Sequence, residues 1–249
     1  MKPYQRIPIL DCKEALIPIP LAKFAIASPH PYQKLGAPYG KKTPYYLRQG
    51  VVERLTLAQR FLQQKCPGWR IQIVDAYRPI EVQQFMVDYT FAQLLAQRGL
   101  TEQTLIASER EGIWQEVFQF WATPSTDPMT PPPHSTGAAI DVTLVSHQNQ
   151  VVDMGSPIDE VSPRSIPDYF APTSFSPDDP IASPDTLISG DRTLHFHQNR
   201  QLLREIMHRA GFRQHPNEWW HFSWGDQLWA WQMNRESTDT MLVARYGRI

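Results

Sequence analysis

Cysteine is nearly absent, with Cys12 and Cys66 the only two in 249 residues. So small a number excludes a disulfide framework, and without CxxC spacing it also excludes a thiolate metal knuckle. Both read as reduced thiols. Long apolar runs are missing as well, since no stretch reaches the ~18 residues that cross a bilayer. The opening MKPYQRIPILDCKEALIPIPLAKF has no uninterrupted apolar segment of the kind a secretory leader carries. A soluble, cytoplasmic protein with no membrane partner is the expectation. Nor is there an excess of one charge: 24 Lys and Arg face 25 Asp and Glu, for a formal net charge of -1. The basic residues are scattered, so the footprint that phosphate backbones demand is lacking and nucleic acid is excluded as a partner.

Proline, by contrast, is plentiful at 23 residues, about twice the usual ~5% share. The excess gathers in TPSTDPMTPPP (123–133) and between Pro157 and Pro184, which predicts rigid irregular loops there rather than helices or central strands. Between these loops the patterning is regular. Residues 51–65 set Val52, Leu55, Ala58 and Leu62 on one helical face, and Pro67-Gly68 ends that helix. RIQIVD (70–75) alternates as a strand does. Pro79 then opens a helix through about Arg98, and another aromatic-rich helix runs from about Gln103 to Trp121.

Further on, AAIDVTLV (138–145) reads as a strand, RQLLREIMHRAG (200–211) as a helix closed by Gly211, and EWWHFSW (218–224) as a third strand. No βαβ period is present, so the expected class is α+β: one domain over 1–249, a mixed or antiparallel central sheet flanked by helices, and long proline-rich loops.

HSTGAAID (134–141) draws attention chemically. Strand alternation turns Ile140, Val142 and Leu144 one way and Asp141 the other. Gly137, Ala138 and Ala139 keep bulk low where His134 must turn back toward Asp141 if the two are to share an ion. A loop histidine and an exposed strand carboxylate are the plainer alternative. In NEWWHFSWG, Glu218 precedes His221 by three positions, so a strand would put them on opposite faces. Glu218 is therefore placed on the turn before the strand and His221 on the strand, both able to face one cleft. Two imidazoles and one carboxylate with an open fourth position is a known catalytic zinc set. Trp219 and Trp220 read as packing. In DAYRP (75–79), Arg78 is either a fixed fork of donors for an oxyanion or the partner of Asp75 in a structural ion pair. His195 and His197, in HFH, would share a face of an extended segment, but no carboxylate motif accompanies them, and they read as structural or exposed.

DAYRP, HSTGAAID, DMGSPID (153–159) and EWWH (218–221), in this order and spacing, resemble the D-alanyl-D-alanine dipeptidases, zinc enzymes of the vancomycin-resistance type, from about Leu35 to Trp224. The resemblance implies hydrolysis of D-Ala-D-Ala or a similar small free dipeptide, with one zinc per chain held by His134, Asp141 and His221. It further implies Glu218 as general base and acid, Arg78 as the group stabilising the tetrahedral intermediate, and Asp159 as the partner of the substrate ammonium. Two departures stand out: Pro132 occupies a position where the family usually has serine, and segment 162–194 is longer and richer in proline than the family pattern. Two rivals remain. One is a D,D-carboxypeptidase, which would act on N-acylated substrates. The other is a non-catalytic zinc-binding interaction domain of the same fold, against which Glu218 and Arg78 both argue.

Overall fold

The computed structural model describes residues 2–41, 43–172, 190–236 and 241–249, with residues 190 and 191 described in backbone only. Among these residues seven strands form two sheets: β1 (Leu16–Pro18), β2 (Ala25–Ile26), β3 (Tyr46–Arg48), β4 (Arg70–Asp75), β5 (Ala139–Val145), β6 (Arg213–Gln214) and β7 (His221–Ser223). The main sheet has the order β2-β4-β5-β7-β6, while β1 and β3 form a separate antiparallel pair. Only the β2–β4 pairing within the main sheet is parallel, so the α+β class with a mixed sheet is what the chain adopts.

Among the described residues six α-helices surround the sheets: α1 (Pro31–Lys34), α2 (Gln49–Lys65), α3 (Ile80–Gln97), α4 (Ala107–Phe120), α5 (Gly190–Arg209) and α6 (Gln227–Glu236). One sheet face, carrying Ile71, Ile73, Ile140, Val142, Leu144 and Phe222, packs into a single core with Leu55 and Leu62 of α2 and Leu203 and Met207 of α5. A second apolar cluster joins α3 and α4 through Val82, Met86, Phe91, Ile113 and Val117. The predicted apolar face of α2 is indeed the buried one.

Several boundaries differ from expectation. The α4 helix starts at Ala107 rather than near Gln103, because residues 101–104 close their own turn through Thr104 N–H to Thr101 O, and Glu109 Oε2 accepts from Ile106 N–H at the true start. The α5 helix begins at Gly190, ten residues before the expected 200, and it contains HFH. His195 and His197 therefore do not share an extended face: two residues apart on a helix they diverge, with Phe196 turned into the core between them. The third strand shrinks to His221–Ser223, since a turn at 216–217 is followed by bent, irregular backbone through 220. Of the proline-rich 162–194 segment, 173–189 lie outside the described residues. Among the described residues, no helix is long and apolar enough to cross a membrane, and Cys12 and Cys66 are both free.

Candidate metal centre and active site

The second sheet face carries the chemistry. Asp141 and His221 are direct cross-strand partners in the antiparallel β5–β7 ladder, so their side chains emerge side by side on one face. The next pair along, Ile140 and Phe222, turns to the core instead. His134 arrives from a 3-10 turn, Pro133–Thr136, which ends at Gly137 with φ 69°. The left-handed backbone favours glycine there, and a Cβ would also have to displace Leu16 Cδ1, 2.7 Å away. Arg78 N–H donates to His134 O (3.3 Å) and Ser135 Oγ–H to Arg78 O (2.7 Å), tying this turn to the end of β4.

A register shift in β4 completes the arrangement. Ile71 pairs with Leu144 and Ile73 with Val142, but Asp75 pairs with Asp141, leaving Val74 as an extra residue. In unbroken register Asp75 would oppose Ile140 on the core face; the bulge turns it to the side of Asp141.

Three side chains converge at this spot. Asp141 Oδ1 lies 3.1 Å from His221 Nδ1, Asp141 Oδ2 lies 3.3 Å from His134 Nε2, and the two ring nitrogens are 3.2 Å apart. All three residues are buried, which removes the alternative of a loop histidine and an exposed carboxylate. The remaining nitrogen of each ring is engaged elsewhere: His134 Nδ1 donates to Ala76 O at 2.7 Å, and His221 Nε2 faces Ser223 Oγ at 3.4 Å. The carbonyl can only accept, so His134 Nδ1 carries the proton and its Nε2 presents a lone pair to the cleft. Asp141 Oδ1 accepts no hydrogen bond despite its burial. Two imidazoles and a carboxylate brought together at a buried spot form a set that can hold a metal ion.

Electrostatics match this geometry. Burial lowers the His221 pKa against the pull of Asp141, keeping the ring in its neutral, ligating form. Burial alone would raise Asp141, but His134 and His221 beside it hold its carboxyl well below the usual range. Glu218 sits just past the 216–217 turn that precedes β7, with Oε2 3.6 Å from His221 Nδ1. Burial, and after it the negative charge of Asp141, hold its carboxyl well above the ordinary value, against Lys2 and Arg78.

Arg78 forms the ion pair with Asp75 and also lines the cleft. Its Nε and Nη2 donate to Asp75 Oδ2 (2.9 and 2.7 Å) and Nη1 to Gln83 Oε1 (2.9 Å), while Nη2 stands 3.5 Å from Asp141 Oδ2 in the cleft. Asp159 belongs to a loop and has φ 63°. The residue is exposed, but its carboxylate reaches into the cleft, where Oδ2 accepts from Tyr32 Oη at 2.8 Å. Burial of that carboxyl first, and Asp141 second, push its pKa up to about 6. All six predicted site residues line this one cleft.

The chain matches the D-ala-D-ala dipeptidase family over residues 25–178 and 193–240. It is 48% identical to a D-alanyl-D-alanine dipeptidase of Synechocystis sp. over 249 residues, all of this chain and 97% of that protein. The chain belongs to the D-ala-D-ala dipeptidase family. A D-alanyl-D-alanine dipeptidase of Escherichia coli is 35% identical over 89 residues, 36% of each chain. Among solved structures, VanYB in complex with D-alanine-D-alanine aligns with TM-score 0.40 and 18% identity over 72% of this chain and 71% of that one. Sequence reading missed part of the site: His30 and Tyr32, in the ten residues by which the family match precedes Leu35, and Tyr39 just after it. His30 Nε2 and Tyr39 Oη approach Asp75 Oδ1 at 3.1 and 3.2 Å, and Tyr32 Oη accepts from Arg78 Nη2 at 3.1 Å. A lone His or Tyr in a loop or a one-turn helix has no periodic signal, and for His30 and Tyr32 only the family's extent could have pointed to them. Trp219 and Trp220 are packed in the core as expected, and Trp220 also walls the cleft.

Proposed function

We propose that this dipeptidase-family chain, acting as one domain, hydrolyses D-alanyl-D-alanine or a similar small free dipeptide, using one zinc ion held by His134, Asp141 and His221. The observation that carries the reading is the convergence of one nitrogen of each imidazole and the Asp141 carboxylate at 3.1–3.3 Å, each imidazole having its other nitrogen turned to a neighbour. When bound, the ion supplies Lewis acidity, which polarises a peptide carbonyl and makes an attacking water acidic near neutral pH.

The chain's own residues supply the remainder. Glu218, raised in pKa and beside the ligand trio without belonging to it, accepts the proton of the attacking water and returns it to the leaving amine. Arg78 presents a permanent positive charge, held rigid by Asp75 and Gln83, to the oxyanion that develops at the carbonyl. Asp159, oriented by Tyr32, pairs with the substrate's free ammonium and disfavours N-blocked peptides, which separates this activity from that of a carboxypeptidase.

The experiment is zinc analysis of the purified protein together with hydrolysis of D-Ala-D-Ala and its N-acetyl form. One equivalent of zinc and a strong preference for the free dipeptide are expected. Full zinc retention in a His134→Ala, His221→Ala double variant would refute the ligand set.

A further inference from the structure

The cleft contains a cation that the mechanism above leaves unused. Lys2, in the segment leading into the 3-10 turn Pro3–Arg6, lines the same cleft as Arg78, Asp159, Glu218 and the ligand trio. Its placement is anchored. Lys2 N–H donates to Gln5 Oε1 at 2.7 Å, Tyr4 is buried, and the buried Gln227 side chain of α6 donates to Gln5 O, Ile7 O and Met129 O. Burial lowers the Lys2 pKa and Glu218 opposes that effect. Among the described residues the ion-pair contacts of Glu218 are with His215 and His221, so Lys2 acts on it from beyond contact distance.

Two opposite charges line the cleft at different places. The carboxylate of Asp159 accepts from Tyr32, which in turn accepts from Arg78. Lys2, with Tyr4 and His215, lines both this cleft and an adjoining groove whose lining does not include Asp159, and His215 neighbours Glu218, with Nδ1 3.7 Å from Oε1. A free dipeptide has the opposite order of charge, an ammonium at one end and a carboxylate at the other, about 7 Å apart when extended. Its direction in the cleft follows from proton transfer. The leaving amine must meet Glu218, and in a dipeptide that nitrogen belongs to the terminal residue, with the free carboxylate one carbon away. The carboxylate therefore falls on the flank of Glu218.

We infer that Lys2 is the specificity-determining residue that binds the free carboxylate of the dipeptide, completing with Asp159 a two-ended recognition of the zwitterion. This rests on the dipeptidase reading above. It makes the chain selective for peptides that end at the second residue, as Asp159 does for peptides that begin at the first.

The test compares D-Ala-D-Ala with its C-terminal amide in the full zinc-loaded chain. Wild type should favour the acid. In Lys2→Met, KM for the acid should rise roughly 10- to 100-fold, the scale of a lost hydrogen bond between charged groups, while kcat and the amide's KM stay within a few-fold. Lys2→Arg should retain most of the preference. Zinc content and thermal melting confirm that each variant is folded and loaded. An unchanged acid-to-amide ratio in Lys2→Met overturns the inference and leaves the dipeptidase reading standing. A wild-type protein that cleaves neither compound overturns both.

Discussion

The Asp75–Arg78 pair offers a direct test of whether this cleft is built for strength or for chemistry. Asp75 is 0% exposed and Arg78 4%, so solvent screening takes little away from their interaction. The two Asp75 oxygens face four donors: Nε and Nη2 of Arg78 on one, His30 Nε2 and Tyr39 Oη on the other. Asp75→Asn keeps the shape but removes the charge and turns an amide N–H toward existing donors. Breaking a buried pair from one side costs about 3–5 kcal/mol, a large part of a typical total of ~5–15 kcal/mol. For a chain of this size that is about a 10 °C fall in Tm. Denaturant titration followed by circular dichroism, with and without zinc, measures it. Replacing both partners, as Asp75→Leu with Arg78→Met, should recover much of the stability, because an apolar pair of similar volume avoids the desolvation of two charges. Activity should stay down by roughly 10²- to 10³-fold because the oxyanion donor is gone. If Asp75→Asn lies within about 1 kcal/mol of wild type, or the double variant regains activity, the dual assignment of Arg78 is wrong.

Glu218→Gln should keep zinc bound while kcat falls roughly 10²-fold or more; loss of the metal would make Glu218 a ligand instead. Since the Asp159 pKa is raised to about 6, its carboxyl is neutral below that pH and cannot hold an ammonium. KM for D-Ala-D-Ala should therefore improve as pH rises through about 6, and Asp159→Asn should raise KM and flatten that limb; an unaltered limb would discard the assignment. Ser223→Ala removes the partner of His221 Nε2 and should weaken zinc affinity by about 10- to 100-fold in a chelator competition, the usual effect of loosening a ligand's support. Equal affinity would show that the 3.4 Å contact does not orient the ring.

What could be read directly from the chain was whatever repeats locally. The β4 and β5 strands announce themselves by alternation and α2 by its apolar stripe, and the order of four motifs carries the site. Glu218 was placed ahead of the strand because three residues cannot keep two side chains on one face of a strand. The extent of α5 was hidden, for its first turns are polar and Phe196 is the sole buried apolar anchor between residues 192 and 199. The roles of His30, Tyr32, Tyr39 and Lys2 were hidden for a different reason. Each acts across a long separation in sequence, such as the 127 residues between Tyr32 and Asp159, and no local spacing encodes such a contact.

The single extra residue at Val74 makes parity a functional quantity in this fold. Ile71 and Ile73 face the core, and Asp75, which unbroken alternation would send with them, faces Asp141 because of it. Deleting Val74 would straighten the strand and leave Asp75 opposite Asp141, whereas deleting Gln72 would shift Ile71 by one place and swing it off the core face. A screen of single-codon deletions should therefore tolerate loss at Val74 and in the exposed 101–104 turn but reject it at Gln72, without touching any catalytic group.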